Sequence, residues 1–185
     1  MDYRFAIRCW QDQAGDENAK ANVFVDGVQV ATEVEVTATS EDSPSVIAWE
    51  STGLTAPAAD TSFDIKVVLA NEYYVDASTD RNIRISGIGY LTKAADSNYK
   101  LGSLDDSDPP VYSETTVADF TDFSNYANAV VPTAVTGDSI SDDWWSNRGS
   151  DDSGFSADSF YTIVVWGGSD GVTMTVPVDV ATCVA

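Results

Sequence analysis

The 185-residue chain has no histidine, two cysteines, and nine basic residues against thirty acidic ones. Each scarcity removes a class of function. Without histidine there is no Ser-His-Asp triad and no His-Glu-His zinc site, and Cys9 has no imidazole base. The apolar runs fall well short of the roughly 20 residues that span a bilayer, which argues against membrane insertion. A formal net charge of -21 repels nucleic acid and anionic membrane and favours divalent cations. The acidity is spread along the chain. Residues 1–95 carry 15 acidic and 7 basic side chains, and residues 96–185 carry 15 and 2. That distribution fits a charged, soluble surface better than one compact acidic motif.

The two cysteines sit near opposite ends, Cys9 in Phe5-Ala6-Ile7-Arg8-Cys9-Trp10 and Cys183 in Val180-Ala181-Thr182-Cys183-Val184. If the terminal strands are neighbours, a Cys9–Cys183 disulfide closes a very long loop, worth roughly 5 kcal/mol on an entropy-only estimate. Two unrelated reduced thiols are the alternative, since two cysteines do not identify an oxidising compartment. Met1 is followed by no lysine-rich leader and apolar targeting run, so export is not legible here.

What the chain does have is strand periodicity. Arg4 to Trp10 reads as a first strand, Ala21 to Val30 as a second interrupted by Asp26-Gly27, Thr32 to Thr39 as another with alternating valines, and Val46 to Trp49 as a short one. Gly27 permits a tight turn between Val23-Phe24-Val25 and Val28-Gln29-Val30. Thr52 to Asp60 reads as an exposed connection. Phe63, Ile65, Val67 and Leu69 alternate, so in a strand they share one face. Ile83 and Ile85 fall on one face of a later run, with Arg84 on the other. Asp105 to Pro110 and Asp138 to Asp158 interrupt regular structure, leaving long connections over 96–158. Phe160 to Trp166 and Val172 to Val180 flank Gly167-Gly168-Ser169-Asp170-Gly171 and predict a closing hairpin. The expected fold is a single all-β domain over 1–185, a jelly-roll-like β-sandwich with long loops.

The segment 63–90 carries the candidate site, a carboxylate-bearing loop between two strands. Glu72, Asp76 and Asp80, with Asn71 and Asn82, supply hard oxygen donors, and calcium takes six to eight such ligands in a flexible shell. Glu72 and Asp80 are the preferred carboxylates. Asp76 ligates directly or through water, while Asn71 and Asn82 either ligate or order the loop. Arg81 beside a cation suits an outward ion pair or a hydrogen bond to a ligand. A solvated acidic loop is the plain alternative.

Phe24-Val25-Asp26-Gly27-Val28, the strand Phe63 to Leu69, Asn71-Glu72-Tyr73 and Asp80-Arg81-Asn82-Ile83 together resemble the calcium-dependent xylan-binding family of carbohydrate-binding modules, over roughly residues 4–90. The resemblance implies a β-sandwich in which a protein-bound calcium contacts vicinal sugar hydroxyls. This chain has Glu72 where members commonly have Asp. A calcium so placed offers two coordination positions to adjacent hydroxyls, which gives recognition of a polysaccharide or surface glycan without bond cleavage.

Tyr73 and Tyr74 adjoin the anchor and either face the ligand or pack the loop. Trp144 and Trp145 lie in the polar 138–158 interval and either offer a remote stacking surface or are buried or in subunit contact. No carboxylate pair stands out as an acid and base, so no enzyme activity is expected. Two readings follow. One is a noncatalytic calcium-dependent carbohydrate-binding protein. The other is a structural subunit of a viral shell, fibre or extracellular assembly, a homo-oligomer or larger, stabilised by calcium. Both put the protein outside the cell or on a particle surface.

Overall fold

The computed structural model describes residues 3–51, 61–76, 78–93, 99–104, 112–116, 132, 134–137, 163–167 and 170–178. All regular structure among them is strand. One sheet runs β10 (Tyr112–Thr116), β9 (Tyr99–Leu104), β8 (Asn82–Lys93), β1 (Tyr3–Asp12), β4 (Ser45–Ser51), with β12 (Ile163–Val165) also paired to β8. The second runs β11 (Ala134–Gly137), β13 (Val172–Val178), β5 (Thr61–Leu69), β2 (Ala19–Val25), β3 (Val28–Val36). A small hairpin of β6 (Tyr74–Asp76) and β7 (Thr79–Asp80) joins β5 to β8.

The two sheets close over one apolar core, as the alternation predicts for an all-β sandwich-like fold. Phe63, Ile65, Val67 and Leu69 are all buried on one side of β5. Across the interface Phe63 meets Tyr3 and Phe5 edge to face, at ring-centroid distances of 5.2 and 5.5 Å. Ile83 and Ile85 face the same core, and Ile163 and Val165 of β12 lie buried beside them.

The Asp26-Gly27 turn forms as expected. Both residues take left-handed backbone, φ 47° and 80°, which matches the twist of the flanking strands. The Asp26 side chain then accepts a 2.9 Å bond from the Asp64 backbone amide, tying the turn to β5.

Two expectations change. The second arm of that hairpin and the valine-rich run after it are one continuous strand, β3, kept paired to β2 through register shifts near Val23. The closing segments do not form a hairpin. Strand β12 pairs with β8 and strand β13 with β5, so the two lie in different sheets, each burying its own apolar face. Strands β5 and β8 hold the candidate loop from both sides, as expected, and because they lie in different sheets the loop passes from one to the other.

Nor are the terminal strands neighbours: β1 lies between β4 and β8, and β13 between β11 and β5. Cys9 is a free thiol in the core, and Cys183 lies outside the described residues. The Thr52 to Asp60, Asp105 to Pro110 and Asp138 to Asp158 connections lie outside them as well, together with Trp144 and Trp145.

Candidate functional site

The crossing from β5 to β8 is held by backbone and amide bonds before any carboxylate is considered. Asn71 accepts from the Lys20 amide at 2.7 Å and donates to the Asn18 carbonyl at 2.9 Å, continuing the β2–β5 pairing beyond Leu69. Its side chain is therefore a latch.

Arg81 is the second fastener and, at 4% exposure, is buried. Its guanidinium donates to the carbonyls of Asn71 and Ala14, the latter at 2.6 Å, and lies 5.4 Å from the Tyr73 ring centroid. The Arg81 amide also donates to the Tyr73 carbonyl at 2.9 Å. Arg81 thus faces inward, instead of reaching out to a ligand as its sequence position suggests. Two backbone carbonyls and an aromatic face carry its charge, an arrangement suited to a planar fork of donors.

The remaining donors divide. Glu72 packs against Gly167, just past β12. Asp76 closes on its own turn, its Oδ1 accepting from the Ser78 amide at 2.9 Å and hydroxyl at 2.6 Å. Those Ser78 bonds, the hydroxyl first, hold the Asp76 carboxyl below its usual range. Asp80 and Asn82 do come together: Asn82 Nδ2 donates to Asp80 Oδ2 and to Asp12 Oδ2, each at 3.3 Å. Among the described residues no three acidic or thiol groups converge as a ready metal cage.

Asp12 does not stand out in the sequence, yet it organises the site. It takes three bonds from Arg84, Nε to Oδ1 at 2.9 Å, Nε to Oδ2 at 2.8 Å and Nη2 to Oδ2 at 2.7 Å. Such a paired fork fixes both side chains in one plane. The pair exists because β1 and β8 are in register with Asp12 opposite Asn82.

Around this pair lies an open cleft of about 570 Å³ lined by Gln11, Asp12, Gln13, Thr39, Ser78, Asp80, Asn82 and Arg84. Its walls come from the end of β1, the connection after β3, the β6–β7 hairpin and the start of β8. Gln11 is locked beneath it, accepting from the Ala19 amide and donating to Asn18 Oδ1, both at 2.6 Å. Asn82, 7% exposed, has a buried Oδ1 with no partner among the described residues.

Tyr73 and Tyr74 separate. The Tyr73 ring turns in toward Arg81 and Gly15. Tyr74, 63% exposed, stands on the hairpin directly opposite Asp80.

No protein-family model matches the chain, and no match was found among curated proteins or solved structures.

Proposed function

We propose that the protein is a noncatalytic carbohydrate-binding protein and that the cleft between Asp12 and Asp80 is its ligand seat. The observation that carries this reading is the lining itself: eight side chains, all polar or charged, mixing donors with acceptors. Small-molecule sites are as a rule mostly apolar with a few polar groups. A wall of carboxylates, amides, hydroxyls and one guanidinium instead suits a ligand whose surface is mostly hydroxyl, because each hydroxyl both donates and accepts.

Calcium belongs to the same proposal, with a revised ligand set. Asp80 and Asp12 face one amide nitrogen, and Asn82 Oδ1 is an oxygen donor left without a partner among the described residues. With the Asn82 amide turned over, Oδ1 would take the place of Nδ2 beside the two carboxylates, and these three residues would hold the ion in preference to Glu72 with Asp80. Bound there, calcium would supply positive charge and coordination positions for adjacent hydroxyls.

Affinity electrophoresis against a panel of soluble polysaccharides, with calcium and with a chelator, tests the reading. Retardation by at least one glycan is expected, weakened by chelator and lost in an Asp80→Ala, Asn82→Ala variant that still unfolds cooperatively. No retardation by any glycan would sink it. No new reducing ends are expected during incubation.

A second reading, a subunit of a shell, fibre or extracellular assembly, draws on one observation. Val28, Tyr74 and Val75 are large apolar side chains left 60 to 67% exposed. Light scattering over a protein concentration series separates the two: growth into particles without glycan binding selects the assembly.

A further inference from the structure

We infer that the outer edge of β3 is a strand able to pair with a second copy of this chain, and that a bulge clamped by Asn22 and Gln29 keeps it closed. The inference stands apart from the glycan reading, since neither residue lines the cleft.

Among the described residues β3 ends its sheet, with β2 as its one ladder partner. A nine-residue strand in that position presents a row of backbone donors and acceptors to any chain that can lie alongside. The row is broken in two places. From Ala21 to Val23 strand β2 advances two residues while β3 passes three, from Val34 to Ala31. From Val23 to Phe24 it advances one while β3 passes two, from Ala31 to Gln29. Each step gives β3 one residue more than β2, which is what makes a bulge.

Side chains hold the first bulge in place. Glu33 has left-handed backbone, φ 48°, and its amide donates to Asn22 Oδ1 at 2.8 Å instead of to a strand carbonyl. That conformation is unfavourable for a residue with a Cβ, and the Asn22 bond offsets it. Gln29 Nε2 reaches the same Asn22 oxygen at 3.3 Å, Thr32 Oγ1 at 3.1 Å and the Ala31 carbonyl at 3.4 Å. One amide and one carbonyl of the bulged stretch are thus taken by side chains. Asn22 and Phe24 alternate with the buried Ala21, Val23 and Val25, and Gln29 stands opposite Phe24, so both clamps lie on the outer face of the sheet.

The partner that an unbulged β3 fits is the same edge of a second copy. Antiparallel pairing about a two-fold axis is self-complementary, because each backbone donor meets the partner's acceptor. The strand is otherwise composed for pairing: four valines and a threonine among nine residues, with no proline. Glu33 and Glu35 oppose it through charge, as does the formal charge of -21 on the whole molecule. Salt screens that repulsion, whereas the bulge acts through backbone geometry and persists at any ionic strength.

Sedimentation equilibrium over a concentration series in high salt tests the inference on wild type, a variant lacking Glu33, Glu33→Gly and Asn22→Ala. Deleting Glu33 sets Thr32 opposite Asn22 and restores a regular ladder next to Val34. That variant should self-associate at concentrations about 10-fold or more below wild type. Glu33→Gly loses the charge, keeps the bulge and suits the left-handed backbone, so it should behave as wild type does. Association of Glu33→Gly equal to that of the deletion would make charge the guard and overturn the inference. Asn22→Ala keeps the chain length and releases the Glu33 amide, whose hydrogen exchange should rise about 10-fold or more, with association following. This variant carries the test if the deletion does not fold. Slow Glu33 exchange retained in Asn22→Ala, or faster exchange with no gain in association, would overturn the inference, as would a folded deletion variant that associates no more than wild type.

Discussion

The carboxylate of Glu72 occupies the space that a side chain on Gly167 would fill. Glu72 follows β5 in one sheet and Gly167 follows β12 in the other, so their contact interlocks two loops across the end of the sandwich. Even one methyl group there forces the carboxylate or the loop aside. Glu72 is exposed and its carboxylate is the free end of a flexible side chain, so Gly167→Ala is expected to turn it aside at a cost of only about 0.5–1 kcal/mol. Adding Glu72→Ala should recover most of the loss, because the clash goes with the side chain. Urea denaturation midpoints for the two single variants and the double variant check this; simple additivity would refute the contact.

Arg81 lies between Asp80 and Asn82 in sequence and holds both in place through its inward grip on Ala14, Asn71 and Tyr73. Lysine keeps the charge and loses the planar fork, so it cannot serve two carbonyls in the same geometry. Arg81→Lys is expected to cost about 2–4 kcal/mol, on the scale of charge-assisted hydrogen bonds lost in a buried site. Thermal unfolding measures the loss. On the proposed reading, glycan affinity measured well below the transition should fall as the cleft residues on either side lose their anchor.

How far the sequence could be read depended on how local each feature was. The alternation of Phe63, Ile65, Val67 and Leu69 is a property of a single nine-residue strand, and it correctly assigns the core face of β5. Asp26-Gly27 is equally local and correctly marks a turn. Asp12 is different. Its value comes from Arg84 and Asn82, about 70 positions away, through the β1–β8 register, and that register is not encoded in any short window. The apparent hairpin across Gly167 to Gly171 failed for the same reason: two apolar runs flanking glycines signal strands and a connection, while partner choice is made by the whole core. For the site, the sequence pairs Asp80 with Glu72, whereas the packed loops set Asp80 beside Asn82 and Glu72 against Gly167, and the inward turn of Arg81 and the latch at Asn71 likewise required those loops.

Asp76 reports on the integrity of the β6–β7 hairpin. Its carboxyl sits below the ordinary value of 3.8 because Ser78 donates to its charged form through hydroxyl and amide. A depressed carboxyl contributes to stability above the unfolded value and loses that contribution as pH falls through the folded one. Carboxyl-carbon NMR shifts followed from pH 6 to 2 should give Asp76 a midpoint below 3.8. In Ser78→Ala the midpoint should move upward, toward that of an unstructured aspartate. An unchanged midpoint would show that the turn does not persist in solution.

Cys9 titrates in the opposite range. Burial between the sheets disfavours the thiolate and pushes the Cys9 thiol from 9.0 up to about 12. Below pH 9 the thiol is neutral whether the chain is folded or unfolded, and its burial contributes fully. Between pH 9 and 12 the unfolded chain ionises while the folded chain resists, so the contribution declines as pH rises, at about 1.4 kcal/mol per pH unit. Wild type should exceed Cys9→Ala in stability at pH 8, and the margin should shrink by about 2–3 kcal/mol at pH 11, read from urea denaturation of both proteins. The comparison cancels the titration of tyrosines and lysines common to the two. Iodoacetamide at pH 8 should label Cys9 slowly in the native protein and rapidly in urea, with peptide mapping to locate the label. Rapid native labelling, or a margin constant with pH, would mean that the thiol is reached by water and does not belong to the core.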